Sequence, residues 1–284
     1  MRSEIAAVHG AFISEVLAYI RVLEPRLPAV FRPILAYHFR PLEQTKGFRP
    51  ALLKALHDLR VQQGGKPVPR PELVRRAACL HLLHESSLII DDVLDHDVMR
   101  RGQRAVHCLY GRIPATAAAG WVCTHVAEGF VEQPELMRAV LQMSVEIMVA
   151  ETVQWQARLY ERPLDTAVWQ QIALGDTGAL LRLAARLAGL EPREYHHVLD
   201  ALTYLYHGGD DIQDLEDAAA DDGFAGGGNA DLRDNIPTLM TCFTAGKDED
   251  ALRAALPAAK HWLRQFQAVD RPPVLDVFFD VLAL

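Results

Sequence analysis

His84 to His107 reads HESSLIIDDVLDHDVMRRGQRAVH, and the change of character half-way along this stretch decides the fold and the chemistry of the chain. An apolar run ending in Leu88, Ile89 and Ile90 meets Asp91, Asp92 and Asp95, and the adjacent pair Arg100 and Arg101 follows within a few residues. On an α-helix, positions i and i+4 lie one turn apart on one face, so Asp91 and Asp95 point the same way with Asp92 beside them. Three crowded carboxylates repel one another unless a positive charge sits among them, and a hard, oxygen-seeking ion such as Mg2+ suits the place. Magnesium takes one or two protein carboxylates and leaves its other positions to water and phosphate, so the ligand this pattern points to is a phosphate or diphosphate.

An isolated DDxxD is more often solvated surface than a site. Here a second cluster with the same one-turn spacing, Asp210, Asp211 and Asp214, lies in YHGGDDIQDLED (Tyr206 to Asp217), and two such clusters are hard to dismiss.

Working outward, apolar residues recur at helical spacing almost everywhere. Ile5, Val8, Phe12, Val16, Ile20 and Leu23 predict a helix broken by Pro25 and Pro28, with a short helix after it. Pro50 fits the first turn of a helix running to Leu59, which puts Lys46 and Arg49 on the loop leading in. Val61 to Pro71, rich in Gly and Pro, is a connection; Glu72 to Asp95 is one long helix; Arg100 to Tyr110 is a loop or short turn. Further helices are predicted over Ala115–Phe130, Glu135–Leu159, Leu164–Leu187 and Glu194–Asp217, and a Gly-rich loop over Asp221–Asn229. Period-two alternation is scarce, so the expectation is an all-α, multi-helix bundle around a central cavity, as one domain of residues 1–284.

The 284 residues are 50% hydrophobic, enough for a large core. A net charge of −8 without a long basic tract argues against nucleic acid as a partner. The N-terminal MRSEIAAVHG carries charge before any apolar run, and the uncharged stretch Ile113 to Ala127 contains Pro114 and is too short to span a bilayer. A soluble, cytoplasmic protein that does not span a membrane is expected. Cys79, Cys108, Cys123 and Cys242 lack metal-type spacing and read as reduced thiols in or near the core.

The order Lys46, Arg49, His84, Asp91-Asp92-x-x-Asp95, Arg100-Arg101-Gly102 and Asp210-Asp211-x-x-Asp214 resembles the trans (all-E) isoprenyl diphosphate synthases, over about residues 41 to 240. The resemblance implies an isoprenoid-synthase fold and several Mg2+ ions held by the two acidic clusters around an allylic diphosphate. It also implies a second diphosphate site for isopentenyl diphosphate at Lys46, Arg49, His84 and Arg101, with Gly47 where the family usually has another Arg. A homodimer is expected on the same grounds. The allylic side departs from the pattern. Gly175-Asp176-Thr177 replaces Gly-Lys-Thr, Tyr206-His207 replaces Phe-Gln, and Ile236 stands where a lysine is usual. Beside a diphosphate such a sign change costs ~4 kcal/mol for unit charges ~4 Å apart near a surface. Arg100, Arg182, Arg233 or His207 compensating locally is one account; a related reaction of different geometry, or a weak or non-catalytic subunit, are the others. Thr177 and His207 are carried as diphosphate-binding candidates.

Leu80, Leu83, His84 and Ser87 lie below the first cluster at one- and two-turn intervals with Ser86 adjacent, so Leu83, Ser86 and Ser87 are expected to line the wall that limits chain length. In the family a bulky aromatic at the position of Ser86 caps the cavity, and a small residue implies products of C15 to C20 or longer. Gly208 and Gly209 inside a helix cost about 1 kcal/mol each relative to Ala, which suggests a close backbone approach or a kink. For Trp121, Trp155, Trp169 and Trp262 core packing is the better reading. The leading expectation is therefore a Mg2+-dependent prenyltransferase. A class I terpene cyclase is the rival, although no Asn/Asp-xxx-Ser/Thr-xxx-Glu motif is present; a metal phosphohydrolase using His57-Asp58 and His96-Asp97 is a distant third.

Overall fold

Pro71 sits in the first turn of the helix that carries the first acidic cluster, where its missing N–H costs nothing. In this computed structural model, which describes residues 2–41, 45, 47–159, 165–218, 238–246 and 248–283, that helix is Arg70–Leu94 (α4). Leu73, Val74, Ala77, Leu80 and Leu83 recur along its buried side at three- and four-residue spacing, and Asp95 ends it, its N–H donating to Asp91 O at 2.9 Å. The other helices, in chain order, are α1 (Arg2–Leu23), α2 (Arg32–His38), α3 (Phe48–Gln62), α5 (Val106–Tyr110), α6 (Arg112–Glu128), α7 (Pro134–Leu159), α8 (Thr166–Ala173), α9 (Ala179–Ala188) and α10 (His196–Ala218). Two more span Glu249–Arg264 and Asp276–Asp280. The all-α expectation holds throughout the described residues, save for one two-residue hairpin.

These elements divide into two compact units. The first comprises Met1–Gln142, Arg182–Pro192 and Pro272–Val281; the second comprises Met143–Leu181, Arg193–Arg271 and Leu282–Leu284. In the first unit α4 packs on α1, α3, α5 and α6. Its contact with α6 is close because α6 turns Ala115, Ala118, Ala119 and Val122 inward, all small and buried. The span Glu4–Arg26 is long and apolar enough to cross a membrane on length and composition alone. Its Ile5, Phe12, Val16 and Ile20 are nevertheless buried, on a helix that packs against α3 and α4.

In the second unit α10 packs against α8, the turn after α8 and the Glu249–Arg264 helix. Aspartate side chains cap two of these helices: Asp165 accepts from Val168 N at 2.9 Å and Asp248 from Ala251 N at 2.8 Å. The aromatic rings of Trp169, Tyr204, Trp262 and Phe266 meet at centroid distances of 4.8 to 6.3 Å and fill this unit's core.

Two local expectations change. Arg100–Tyr110 is not merely a loop: Met99–Arg100 pairs antiparallel with Gln103–Arg104, and α5 follows. The turn between the strands needs positive φ at both central residues, and Arg101 (51°) and Gly102 (74°) supply it. The helix expected over Leu164–Leu187 is interrupted by a π-helical turn at Leu174–Gly178, at the Gly-Asp-Thr departure itself. Gly175 lies in that turn so near α7 that an added Cβ would be 2.6 Å from Ala150 Cβ. Lys46, Arg233, Ile236 and the Asp221–Asn229 loop lie outside the described residues.

The two helical glycines of α10 separate. A Cβ on Gly208 would stand 2.8 Å from Leu263 Cδ1 and 3.1 Å from Leu239 Cδ2, both leucines being fully buried, whereas Gly209 has nothing within 4 Å. Gly208→Ala is expected to destabilise by about 1–3 kcal/mol through overpacking. Gly209→Ala is expected to be neutral or to gain up to about 1 kcal/mol of helix propensity. Chemical denaturation of both variants checks the contrast.

Candidate functional site

In the first unit the end of α4 and the hairpin face each other. Arg100 donates from Nε to Asp92 Oδ1 at 2.7 Å, and its Nη2 also pairs with Asp92 Oδ1 and lies 3.3 Å from Asp91 Oδ2 and 3.6 Å from Asp97 Oδ2. One guanidinium therefore neutralises the crowding that called for a cation in the sequence. Among the described residues no three His, Cys, Asp or Glu side chains converge to hold a metal, and Asp95 serves as the end of α4. Asp91, Asp92 and Asp95 remain the candidate ligands named from the sequence. The donor chemistry still fits an ion, because Asp92 is buried with Oδ2 lacking any hydrogen-bond partner, and one or two hard oxygen donors are what Mg2+ takes from a protein. Burial raises the Asp92 pKa, and the Arg100 charge and hydrogen bond oppose that rise.

One and two turns back along α4, a second constellation forms. Arg49, in the first turn of α3, donates from Nη1 to His84 Nε2 at 3.1 Å. A guanidinium only donates, so Nε2 accepts and the ring proton sits on Nδ1. Burial, followed by the Arg49 charge, holds the His84 pKa well below its ordinary value, in keeping with a neutral ring. Beside it lies Glu85, which is 0% exposed. Arg101 grips it with both terminal nitrogens, at 2.8 and 2.9 Å, while His38 Nε2 lies 3.1 Å and His81 Nε2 3.7 Å from its oxygens. Burial alone would raise the Glu85 pKa, but the nearby His38 imidazole and the two-point hydrogen bond from Arg101 hold it well below the usual carboxylate range. Sequence reasoning missed Glu85, His38 and His81. The available signal was a Glu one turn after His81 inside an apolar helical run.

Leu83 and Ser86, named from the sequence as wall residues, are buried. The small size of Ser86 is matched by α6: its Oγ lies 3.3 Å from Cys123 Sγ and donates to Leu83 O at 2.7 Å. Ser87 Oγ donates to His84 O at 2.8 Å. His57, proposed above for a phosphohydrolase, instead accepts the Val68 N–H on Nε2 at 3.1 Å.

In the second unit Asp211 is the buried member of its cluster. Its Oδ2 accepts from the Trp169 indole at 3.0 Å and from Leu239 N at 2.8 Å. Burial raises its pKa, and the His207 charge, the Leu239 N–H and the indole each moderate that rise. Trp169 is core, as expected, but it is also the donor that holds this carboxylate. It precedes Thr177 by two helical turns, which was the only sequence signal for it. Thr177 and His207 do come together, with Oγ1 3.1 Å from Nδ1, and Asp176 Oδ2 lies 3.6 Å from the same nitrogen. Asp176 thus has an imidazole beside it. Asp210 and Asp214 lie on α10 with Asp211.

The polyprenyl synthetase family model matches residues 30–268. The chain belongs to the polyprenyl synthetase family. Among curated relatives, this family member is 29% identical over 126 residues to a preaspterpenacid I synthase from Aspergillus terreus, covering 44% of this chain and 16% of that one. It is 28% identical over 162 residues to a geranylgeranyl pyrophosphate synthase from Claviceps paspali, covering 52% and 46%. It thus spans less than half the length of either. Among solved structures, the polyprenyl synthase from Caulobacter crescentus complexed with calcium and isoprenyl diphosphate superposes with a TM-score of 0.78 at 18% identity, over 100% of this chain and 97% of that one. At that identity the likeness establishes the isoprenoid-synthase fold.

Glu85 is a stability element testable without substrate. Its folded pKa is depressed below the unfolded value of about 4.3, so its contribution is full above that pH and is lost as pH falls through the folded value. Glu85→Gln is expected to lower the unfolding free energy at pH 7 by about 3 kcal/mol, the scale for breaking a buried pair. Denaturation midpoints at pH 7 and pH 3 should show the gap narrowing in acid; equal gaps would mean that Glu85 ionisation is not coupled to folding.

Proposed function

We propose that this chain is a Mg2+-dependent prenyltransferase that joins an allylic prenyl diphosphate to isopentenyl diphosphate. The C1–O bond of the allylic substrate breaks and releases inorganic diphosphate, the allylic carbon bonds to the terminal alkene carbon of isopentenyl diphosphate, and a proton leaves. The observation that carries this reading is the buried Asp92 carboxylate, with one unpartnered oxygen and Arg100 on the other. Mg2+ held at Asp91 and Asp92 would neutralise charge developing on the leaving diphosphate. For the chain's own residues, in the first unit Arg100 is suited to hold a diphosphate leaving group and Arg49, His84 and Arg101 to bind the acceptor diphosphate; in the second unit Thr177 and His207 are suited to hydrogen-bond a diphosphate. Products of C15 to C20 or longer are proposed from the small Ser86 and Ser87.

A second reading, ionisation of the allylic diphosphate without an acceptor, is favoured by Asp176 in place of a cation and by the engagement of Arg101 with Glu85. Incubating the protein and Mg2+ with C5 to C20 allylic diphosphates, with and without isopentenyl diphosphate, separates the two by mass spectrometry. A longer diphosphate formed only with the acceptor supports elongation; a hydrocarbon or alcohol from the allylic substrate alone replaces it with the second reading. Asp92→Asn is expected to reduce either product by about 10²-fold or more while leaving the circular dichroism spectrum unchanged.

A homodimer is proposed with this function. Leu141, Val145, Met148 and Val149 are 50–60% exposed on α7, a concentration of large apolar side chains that water disfavours. Light scattering should give twice the chain mass, and Val145→Glu with Met148→Glu should return it to one.

A further inference from the structure

We infer that Glu85 is a built-in competitor for the acceptor diphosphate: its carboxylate occupies the fork of Arg101, so an anion reaching Arg49 and His84 must share or displace that guanidinium. This rests on the proposed acceptor role of Arg49, His84 and Arg101.

Three features of the molecule carry it. First, both terminal nitrogens of Arg101 are committed to Glu85, at 2.8 and 2.9 Å, the same two-point geometry with which an arginine grips a phosphate. Second, neither partner is placed to swing aside. Glu85 is 0% exposed on α4 and has His38 at 3.1 Å, while Arg101 is at a φ of 51° in the tight turn of the hairpin, which fixes its backbone. Third, the local charge is small. His84 is held well below its ordinary pKa and accepts from Arg49, and Glu85 cancels one of the two guanidiniums, so Arg49, His84, Glu85 and Arg101 together present a diphosphate with one net positive charge where the set without Glu85 would present two.

Glu85 thereby becomes the residue that sets how strongly a second diphosphate is drawn in, and with it the balance between condensation with an acceptor and reaction of the allylic substrate alone. Its removal should open the site, the opposite of what loss of a purely structural residue would do.

The test is isothermal titration of the full chain with isopentenyl diphosphate and, separately, inorganic pyrophosphate, with neither allylic substrate nor Mg2+ present. Glu85→Gln keeps the shape and loses the charge, and it is expected to bind both at least tenfold more tightly than the wild type. Arg101→Gln in that background should abolish the gain. Glu85→Asp retains the charge but withdraws the carboxylate from one nitrogen; it gives an intermediate gain and serves should the Gln variant unfold. Affinity that is unchanged or weaker in a folded Glu85 variant, or a gain that survives Arg101→Gln, overturns the inference. Because the titration involves no turnover, a chain that binds as expected but transforms no allylic diphosphate would overturn the proposed function and leave this inference standing.

Discussion

The burial of one carboxylate, Glu85, constrains much of the first unit. An ionised group with no solvent exposure survives only when its charge is met by partners at hydrogen-bond distance, because the desolvation cost is several kcal/mol per ion. Meeting it recruits Arg101 from the hairpin and places His38 from α2 at 3.1 Å, with His81 of the preceding turn of α4 further off at 3.7 Å. The hairpin turn places Arg101 in a left-handed conformation, and the two-point ion pair offsets that strain. The next residue back, Arg100, then lies over Asp91 and Asp92. The paired arginines thus divide their work: one serves the buried glutamate and its neighbour the aspartates.

The second unit solves a similar problem by a different route. Asp211 is buried without a guanidinium; one indole N–H and one backbone N–H converge on the same oxygen. Burial leaves the Asp211 pKa raised, whereas the partners of Glu85 depress its pKa. The aromatic cluster around Trp169 therefore fixes a donor as well as filling space. The π-helical turn after α8 brings Asp176 and Thr177 beside His207, so the Asp176 carboxylate has an imidazole next to it.

Much of the helical order was legible. Period-3.6 patterning located α4, α6, α7 and α10 to within a few residues, because a long amphipathic helix repeats its signal over several turns. The clusters Asp91-Asp92-x-x-Asp95 and Asp210-Asp211-x-x-Asp214 and the arginine pair were equally plain, since their meaning lies in local spacing. The hairpin and the π-helical turn were not, because each is a few residues long and depends on contacts made elsewhere. Gly208 and Gly209 looked alike in the chain, and only Leu239 and Leu263 distinguish them.

The sequence by itself determined that this is an all-helical chain with two one-turn carboxylate clusters, an adjacent arginine pair and the order of motifs that places it in its family. Tertiary structure alone decided the partners: Arg100 with the first cluster, Arg101 with Glu85, Trp169 with Asp211, and Cys123 against Ser86. The reason is that helical spacing is a property of neighbours along the chain. Charge neutralisation and packing depend on which distant side chain arrives, and burial makes the choice among possible partners strict.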